Sequence, residues 1–249
     1  MRFILLRLPI LLFFFGIFIS AVDFKASQLH YSRVKTAFAE KEKSLTDSLK
    51  VKNINSSEVE IFIRVFKNEK ELEIWAKNKS DKKFQLFRTY KICATSGNLG
   101  PKREGGDGQT PEGFYYINRF NPYSNFYLSL GVNYPNASDR KLSKAKNLGG
   151  DIFIHGACVT IGCMPLTDDK IKEVYALAVL ARNNGESKIP VHIFPLKMSN
   201  ENFASLKKQY AQLPDLITFW GNIKTGYDYF DNNKSIPSIT VLSNGYYSF

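Results

Sequence analysis

The chain has 249 residues, 44 % of them hydrophobic and 23 % charged, so it can bury a sizeable core and global disorder is excluded. Its formal net charge of +11 suits an anionic partner such as nucleic acid, an anionic lipid surface or a cell-wall polymer. Nucleic acid drops out, because the sequence has no zinc-finger spacing, no RNP-like strand and no obvious recognition helix.

In chain order, residues 1–22 come first. Arg2 and Arg7 precede the apolar run "LPILLFFFGIFISAV", a positive n-region followed by an h-region. The run is short for a membrane span of about 20 residues, and no small-x-small cleavage site follows it directly. A cleaved signal peptide and an uncleaved N-terminal anchor both remain open, and both export the rest of the chain. Residues 24–50 carry Val34, Phe38, Leu45 and Leu49 at helical spacing, with neither Gly nor Pro, and predict an amphipathic helix leading into the body. "NINSSE" at 53–58 is a polar break.

Strand patterns follow. "VEIFIRVF" (59–66) puts Val59, Ile61, Ile63 and Val65 on one face, and "LEIWA" (72–76) and "FQLFRTYKICA" (84–94) continue an antiparallel meander. The stretch "TSGNLGPKREGGDGQTPEG" (95–113) is too rich in Gly and Pro for a regular element and lacks both the P-loop and the dinucleotide-binding pattern. A structured loop beside a site is the expectation. "FYYIN" (114–118) resumes the sheet, 121–140 holds a short strand and a polar turn, and "GGDIFIH" (149–155) is a buried strand. A helix is predicted over 166–185, started by Thr167 or Asp168 and ended by Gly185. A strand at 189–196, two helices and a hairpin about Asn244-Gly245 complete the chain. The expected domains are a helical lead-in (23–57), a catalytic body (58–197) and a C-terminal extension (198–249).

The stretch "IHGACVTIGC" (154–163) concentrates one of three histidines and two of three cysteines. As a metal site, His155, Cys158 and Cys163 lack the fourth ligand that structural zinc takes. As a disulfide, Cys158 and Cys163 would close a loop too short to gain much stability. As a catalytic pair, His155 ends a strand and Cys163 follows Gly162 just before a helix, where a tight turn and the helix's positive end would lower the thiol pKa. The odd cysteine count of an exported chain also leaves at least one thiol without an internal partner. The catalytic reading fits best, and it leaves open whether Cys158 tunes Cys163 by a reversible disulfide or only fills space.

These residues resemble the L,D-transpeptidase (YkuD-type) catalytic-domain family. Ile154-His155-Gly156 matches its strand ending in His-Gly, and Thr160-Ile161-Gly162-Cys163 its Ser/Thr-x-Gly-Cys turn. With "SGNLGPKREGGDGQTPEGFYYIN", "YPNASD" and "FWGNIKTGYDYF", the likeness spans about 60–230 and is greatest to the murein-peptidase (YafK-like) branch. Ordinary members carry His two residues before the Cys and Arg just after it; Ile161 and Met164-Pro165 stand here instead. The resemblance implies an α+β, β-rich sandwich with a helix packed after the cysteine turn. It implies a periplasmic or envelope enzyme in which Cys163 attacks a diaminopimelate carbonyl of a peptidoglycan stem peptide, with lipoprotein-linked peptides a further substrate, and needs no cofactor and no metal. His155 would be the base, the Gly156 carbonyl its orienter, and the Gly162 and Cys163 N–H groups an oxyanion hole. Arg88, Arg103, Tyr134, Asn136 and Thr160 are the candidate substrate contacts. A hydrolase and a non-catalytic wall-binding domain are the alternatives.

Overall fold

The computed structural model describes residues 23–249; the expected signal or anchor segment lies outside them. No helix among the described residues is long and apolar enough to cross a membrane.

The lead-in is two helices, α1 (Phe24–Leu29) and α2 (Ser32–Val51), separated at His30-Tyr31. Val34, Ala37, Phe38, Leu45 and Leu49 form the buried stripe of α2, at the spacing expected of a helix lying on a core. The meander follows as β1 (Val59–Phe66), β2 (Glu71–Asn78) and β3 (Gln85–Lys91), then β4 (Gly113–Asn121), β5 (Ser129–Val132), α3 (Ala137–Leu142), β6 (Phe153–His155) and β7 (Met164–Pro165). Helix α4 (Asp168–Asn183) is capped by the Thr167 hydroxyl, which accepts from Lys170 N–H. Strand β8 (Pro190–Phe194), α5 (Asn200–Gln209), α6 (Pro214–Asn233) and the hairpin β9 (Thr240–Val241) and β10 (Tyr247–Ser248) close the chain. Where the sequence predicts a polar turn after the short strand within 121–140, the chain forms α3, held by a reciprocal capping box between Asn136 and Asp139.

The expected α+β, β-rich class holds. One eight-stranded sheet runs in the order β3-β2-β1-β8-β4-β5-β6-β7. Strand β4 pairs with β8 on one side and β5 on the other, with a register shift at Ile117/Arg119, and joins the two halves of a curled sheet. The parallel β1–β8 pair brings together segments more than 120 residues apart. Curling is sufficient for the two edges to meet: Cys93 N–H, just past β3, donates to Pro165 O of β7 at 3.0 Å.

Two cores lie on opposite faces. The larger packs α2 and α4 against Val59, Ile61, Ile63 and Val65 of β1 and against Ile154 and Met164. The alternation in β1 predicts one buried face, yet the other is buried as well. Phe62 and Phe66 meet Phe230, Trp220 and Tyr227 of α6, so the C-terminal extension serves as the second wall of the sheet. Arg64 is only 3 % exposed there; it pairs with Asp231 at 2.7 Å and lies against the rings of Tyr227 and Phe66.

Candidate active site

Strands β6 and β7 are parallel neighbours, with Ile154 opposite Met164 and His155 opposite Pro165. Side chains alternate along a strand. Ile154 and Met164, both buried, therefore point into the core, and by the same alternation His155, just after Ile154, and Cys163, just before Met164, fall on the opposite face. The sequence motif is in this sense a device of two short strands: the loop 156–162 carries the chain from the end of one to the start of the other.

His155 is 1 % exposed, and the Phe126 ring stacks on it at 4.6 Å. Its Nδ1 lies 2.5 Å from Gly156 O. A carbonyl only accepts, so Nδ1 carries the proton and Nε2 keeps its lone pair. Burial lowers the His155 pKa, opposed by the bond to Gly156, and the net shift favours the neutral ring. Gly156 is sterically required: a Cβ there would lie 2.5 Å from Asp168 Oδ1 and 2.9 Å from Phe126 O. Asp168 in turn accepts from Ala157 N–H at 2.8 Å and fixes the start of the loop.

Cys163 is the one free cysteine. Its Sγ sits 3.6 Å from Asp151 O. Burial pushes its thiol pKa up; the Phe153 N–H lowers it, Asp151 raises it further and Lys102 lowers it. The expectation of a thiol acidified by the helix terminus is thus overturned. Three residues, Met164 to Leu166, separate Cys163 from the Thr167 cap of α4, and Asp168 and Asp169 occupy its first turn, so the positive end is neutralised by its own acids before it reaches the sulfur. Both shifts favour the neutral form, thiol at Cys163 and imidazole at His155.

Gly162 has φ +137, and a Cβ on it would meet Gln109 O at 2.8 Å, so only glycine fits where the glycine-rich loop packs on the cysteine turn. Of the two expected oxyanion donors, Gly162 N–H is already given to Thr160 Oγ1 at 3.0 Å. Cys163 N–H makes no hydrogen bond among the described residues. Thr160 also donates to Cys163 O at 2.9 Å, so its hydroxyl braces the turn rather than projecting to a substrate.

The other substrate candidates are mostly committed elsewhere. Arg88 is bound to Glu173 and to Ser48 at 2.5 and 2.8 Å, tying β3 to α4 and α2. Tyr134 is buried and donates to Leu148 O at 3.1 Å. Asn136 caps α3 and donates to Phe114 O and Tyr247 Oη. Polar loop residues such as these satisfy backbone groups that a sequence does not show to be nearby. Arg103, paired with Asp139 at 2.9 Å, helps wall a cavity of about 540 Å³ with Gln109, Leu142, Asp215, Phe219 and Tyr246, and Tyr134 and Asn136 border a second of about 440 Å³ with Tyr116 and Arg140.

Sequence reasoning missed the groups that shape the glycine-rich loop. Asp107 accepts from the N–H groups of Arg103, Glu104 and Gln109 and pairs with buried Lys102 at 2.6 Å. Glu112, fully buried, binds Lys67 at 2.9 Å, Gly100 N–H at 2.8 Å and Trp220 Nε1 at 2.7 Å. An acid set among glycines was the available signal for Asp107; nothing local marked Glu112.

Neither role left open for Cys158, a reversible bond to Cys163 or mere space-filling, is what the structure shows. Cys158 forms a disulfide with Cys93, 65 residues away, and not with Cys163. The same bond breaks the His155/Cys158/Cys163 ligand set, since a disulfide sulfur is not a thiolate.

A strand-end histidine tied to its neighbour's carbonyl and a free cysteine on a glycine turn lie on one face of the sheet, the two groups a cysteine acyl transfer would use. The chain belongs to the L,D-transpeptidase catalytic-domain family, YkuD, whose model matches residues 60–193. It is 35 % identical over 188 residues to "Putative L,D-transpeptidase YafK" of Escherichia coli strain K12 and, equally, of strain O157:H7, covering 75 % of this chain and 72 % of those proteins. Among solved structures, the helical cell shape determining protein Pgp2 of Campylobacter jejuni is 17 % identical over 74 % of this chain and 73 % of that one, with TM-score 0.44. A point variant of Pgp2 is 24 % identical with the same TM-score, covering 70 % of this chain; the match spans 60 % of the variant's length.

Proposed function

We propose that this chain is an exported cysteine L,D-transpeptidase acting on peptidoglycan stem peptides, with Cys163 as nucleophile and His155 as general base. The observation that carries the proposal is the pair itself: His155 Nε2, left unprotonated by the Nδ1 bond to Gly156 O, on the same sheet face as the free Cys163 thiol. Because both pKa shifts favour the neutral groups, proton transfer accompanies attack. His155 Nε2 takes the thiol proton as Sγ bonds to the diaminopimelate carbonyl carbon. Cys163 N–H is the donor in place for the oxyanion. Collapse breaks the C–N bond, the leaving amine receives the proton from the imidazolium, and a thioester remains. An acceptor amine then attacks the thioester, giving up its proton to His155, and regenerates the thiol.

The test is incubation of the protein with a purified disaccharide-tetrapeptide muropeptide, read by intact-protein mass spectrometry. A covalent adduct on Cys163, absent in Cys163→Ala with the fold retained, is expected. An unmodified Cys163 under turnover, or undiminished activity in Cys163→Ala, refutes the mechanism and favours a wall-binding role. Disaccharide-tripeptide in place of cross-linked product, with an amine acceptor supplied, assigns the hydrolase.

A further inference from the structure

The loop joining His155 to Cys163 is held unevenly. Its first residues are fixed by Gly156 N–H to Leu128 O and Ala157 N–H to Asp168, and its last by Thr160. Between them, Val159 N–H bonds only back to Ala157 O. Packing does not hold this middle, because Val159 is 55 % and Ile161 87 % exposed. Among the described residues, the one bond from the middle of the loop to another part of the molecule is Cys158–Cys93. That bond lands on the seam where the sheet's two edge strands meet. Across the seam the described residues make a single backbone hydrogen bond, Cys93 N–H to Pro165 O, two residues after the nucleophile.

We propose that Cys93 and Cys158 are positioning residues: their disulfide clamps the sheet seam and the intervening loop so that His155 and Cys163 stay in reacting register, and the enzyme is competent only in its oxidised form. The inference rests on the acyl-transfer reading of the site. Without the bond, β7 keeps one hydrogen bond to β3, and the 156–162 loop gains freedom between the two groups that must meet. Misplacement of about 1 Å costs on the order of a hundredfold in rate. Cys158 is exposed, so an external thiol can reach its sulfur. Closure is a balanced exchange. The two thiols give two electrons and two protons to a disulfide oxidant such as oxidised glutathione, which leaves as two thiols; a dithiol reductant reverses it. The chain would stay latent in a reducing compartment and become active on oxidation.

The test uses the full chain and the double variant Cys93→Ser/Cys158→Ser. Cys163 is the single free thiol in both, so iodoacetamide alkylation reads its reactivity without any substrate. We expect the pH profile of alkylation to shift and kcat on the muropeptide to fall tenfold or more with KM little changed, on the order expected for a misplaced reacting pair. A melting temperature that drops while the alkylation profile and kcat stay within about twofold, well below one factor of ten, overturns the proposal and leaves a merely structural bond. If the double variant does not fold, the wild type is poised in glutathione buffers of graded potential. Alkylation-reported Cys163 reactivity and kcat that follow the oxidised fraction support the proposal, and values independent of it refute it. An oxidised wild type inert towards the muropeptide would defeat the assigned function instead, and the alkylation comparison still decides the clamp.

Discussion

Three alanine substitutions separate steric from backbone requirements at the site. Gly162→Ala meets both: φ is +137, and the new Cβ would lie 2.8 Å from Gln109 O, a backbone atom that cannot swing aside. A non-glycine residue in such a sparsely populated region costs about 1–3 kcal/mol, and overpacking a tight site adds about 1–3 kcal/mol. Roughly 4 kcal/mol for both lowers the melting temperature by about 8–16 °C in a chain this long. Gly156→Ala carries the steric term alone, from Asp168 Oδ1 and Phe126 O, and should cost about 1–3 kcal/mol. Gly150→Ala, with nothing within 4 Å of its Cβ and no positive φ, should be neutral or slightly stabilising, by about 0.4–1 kcal/mol. Calorimetry gives the three melting temperatures, and iodoacetamide alkylation of Cys163 checks the site. Gly162→Ala should also cut kcat on the order of a hundredfold, since it displaces the residue before Cys163, the proposed nucleophile. If Gly162→Ala melted alongside Gly150→Ala and kept its alkylation rate, the contact between the glycine-rich loop and the cysteine turn would be wrong.

The remaining predictions concern charge. Burial raises the Cys163 thiol pKa, so its alkylation rate should still be climbing above the ordinary thiol value of about 8.5. His155 is shifted down, so the base stays neutral and kcat/KM should persist below about pH 6.5, falling only once the lowered pKa is reached. Glu186 is pushed up to about 8 by burial while it accepts from Ile61 N–H at 2.9 Å. Its folded pKa exceeds the unfolded value, so its contribution to stability is complete below the ordinary carboxylate pKa and is lost as pH rises through about 8. Urea midpoints should fall between pH 6 and 8.5 more steeply in the wild type than in Glu186→Gln; parallel curves would contradict the burial argument. Glu112→Leu strands the Lys67 ammonium in the interior and should cost about 3–5 kcal/mol in urea unfolding. A loss below about 1 kcal/mol, the scale of an exposed pair, would show that Lys67 finds water.

Much of the architecture was legible because it is written in short-range patterns. Alternation in "VEIFIRVF" marks β1, the Thr167 cap marks the start of α4, and Asn244-Gly245 marks the closing hairpin. The spacing of His155, Gly162 and Cys163 was enough to single out the base, the turn and the nucleophile as candidates, since all three lie within ten residues. Helix α3 escaped because six residues carry no apolar period; only its capping box betrays it.

What the sequence by itself determined is therefore local: the strands, the caps, and a histidine and a cysteine eight residues apart at a strand end and a glycine turn. The tertiary structure decided the rest, because each remaining property depends on partners distant in the chain. Cys158 bonds Cys93 only because the sheet curls until its edges meet. The thiol is less acidic than the helix start suggested, because burial outweighs a helix end neutralised by its own first turn. Arg88, Tyr134 and Asn136 hold the frame because chain closure brings unsatisfied groups to them. Burial and contact are sums over the whole fold, and no window of sequence contains them.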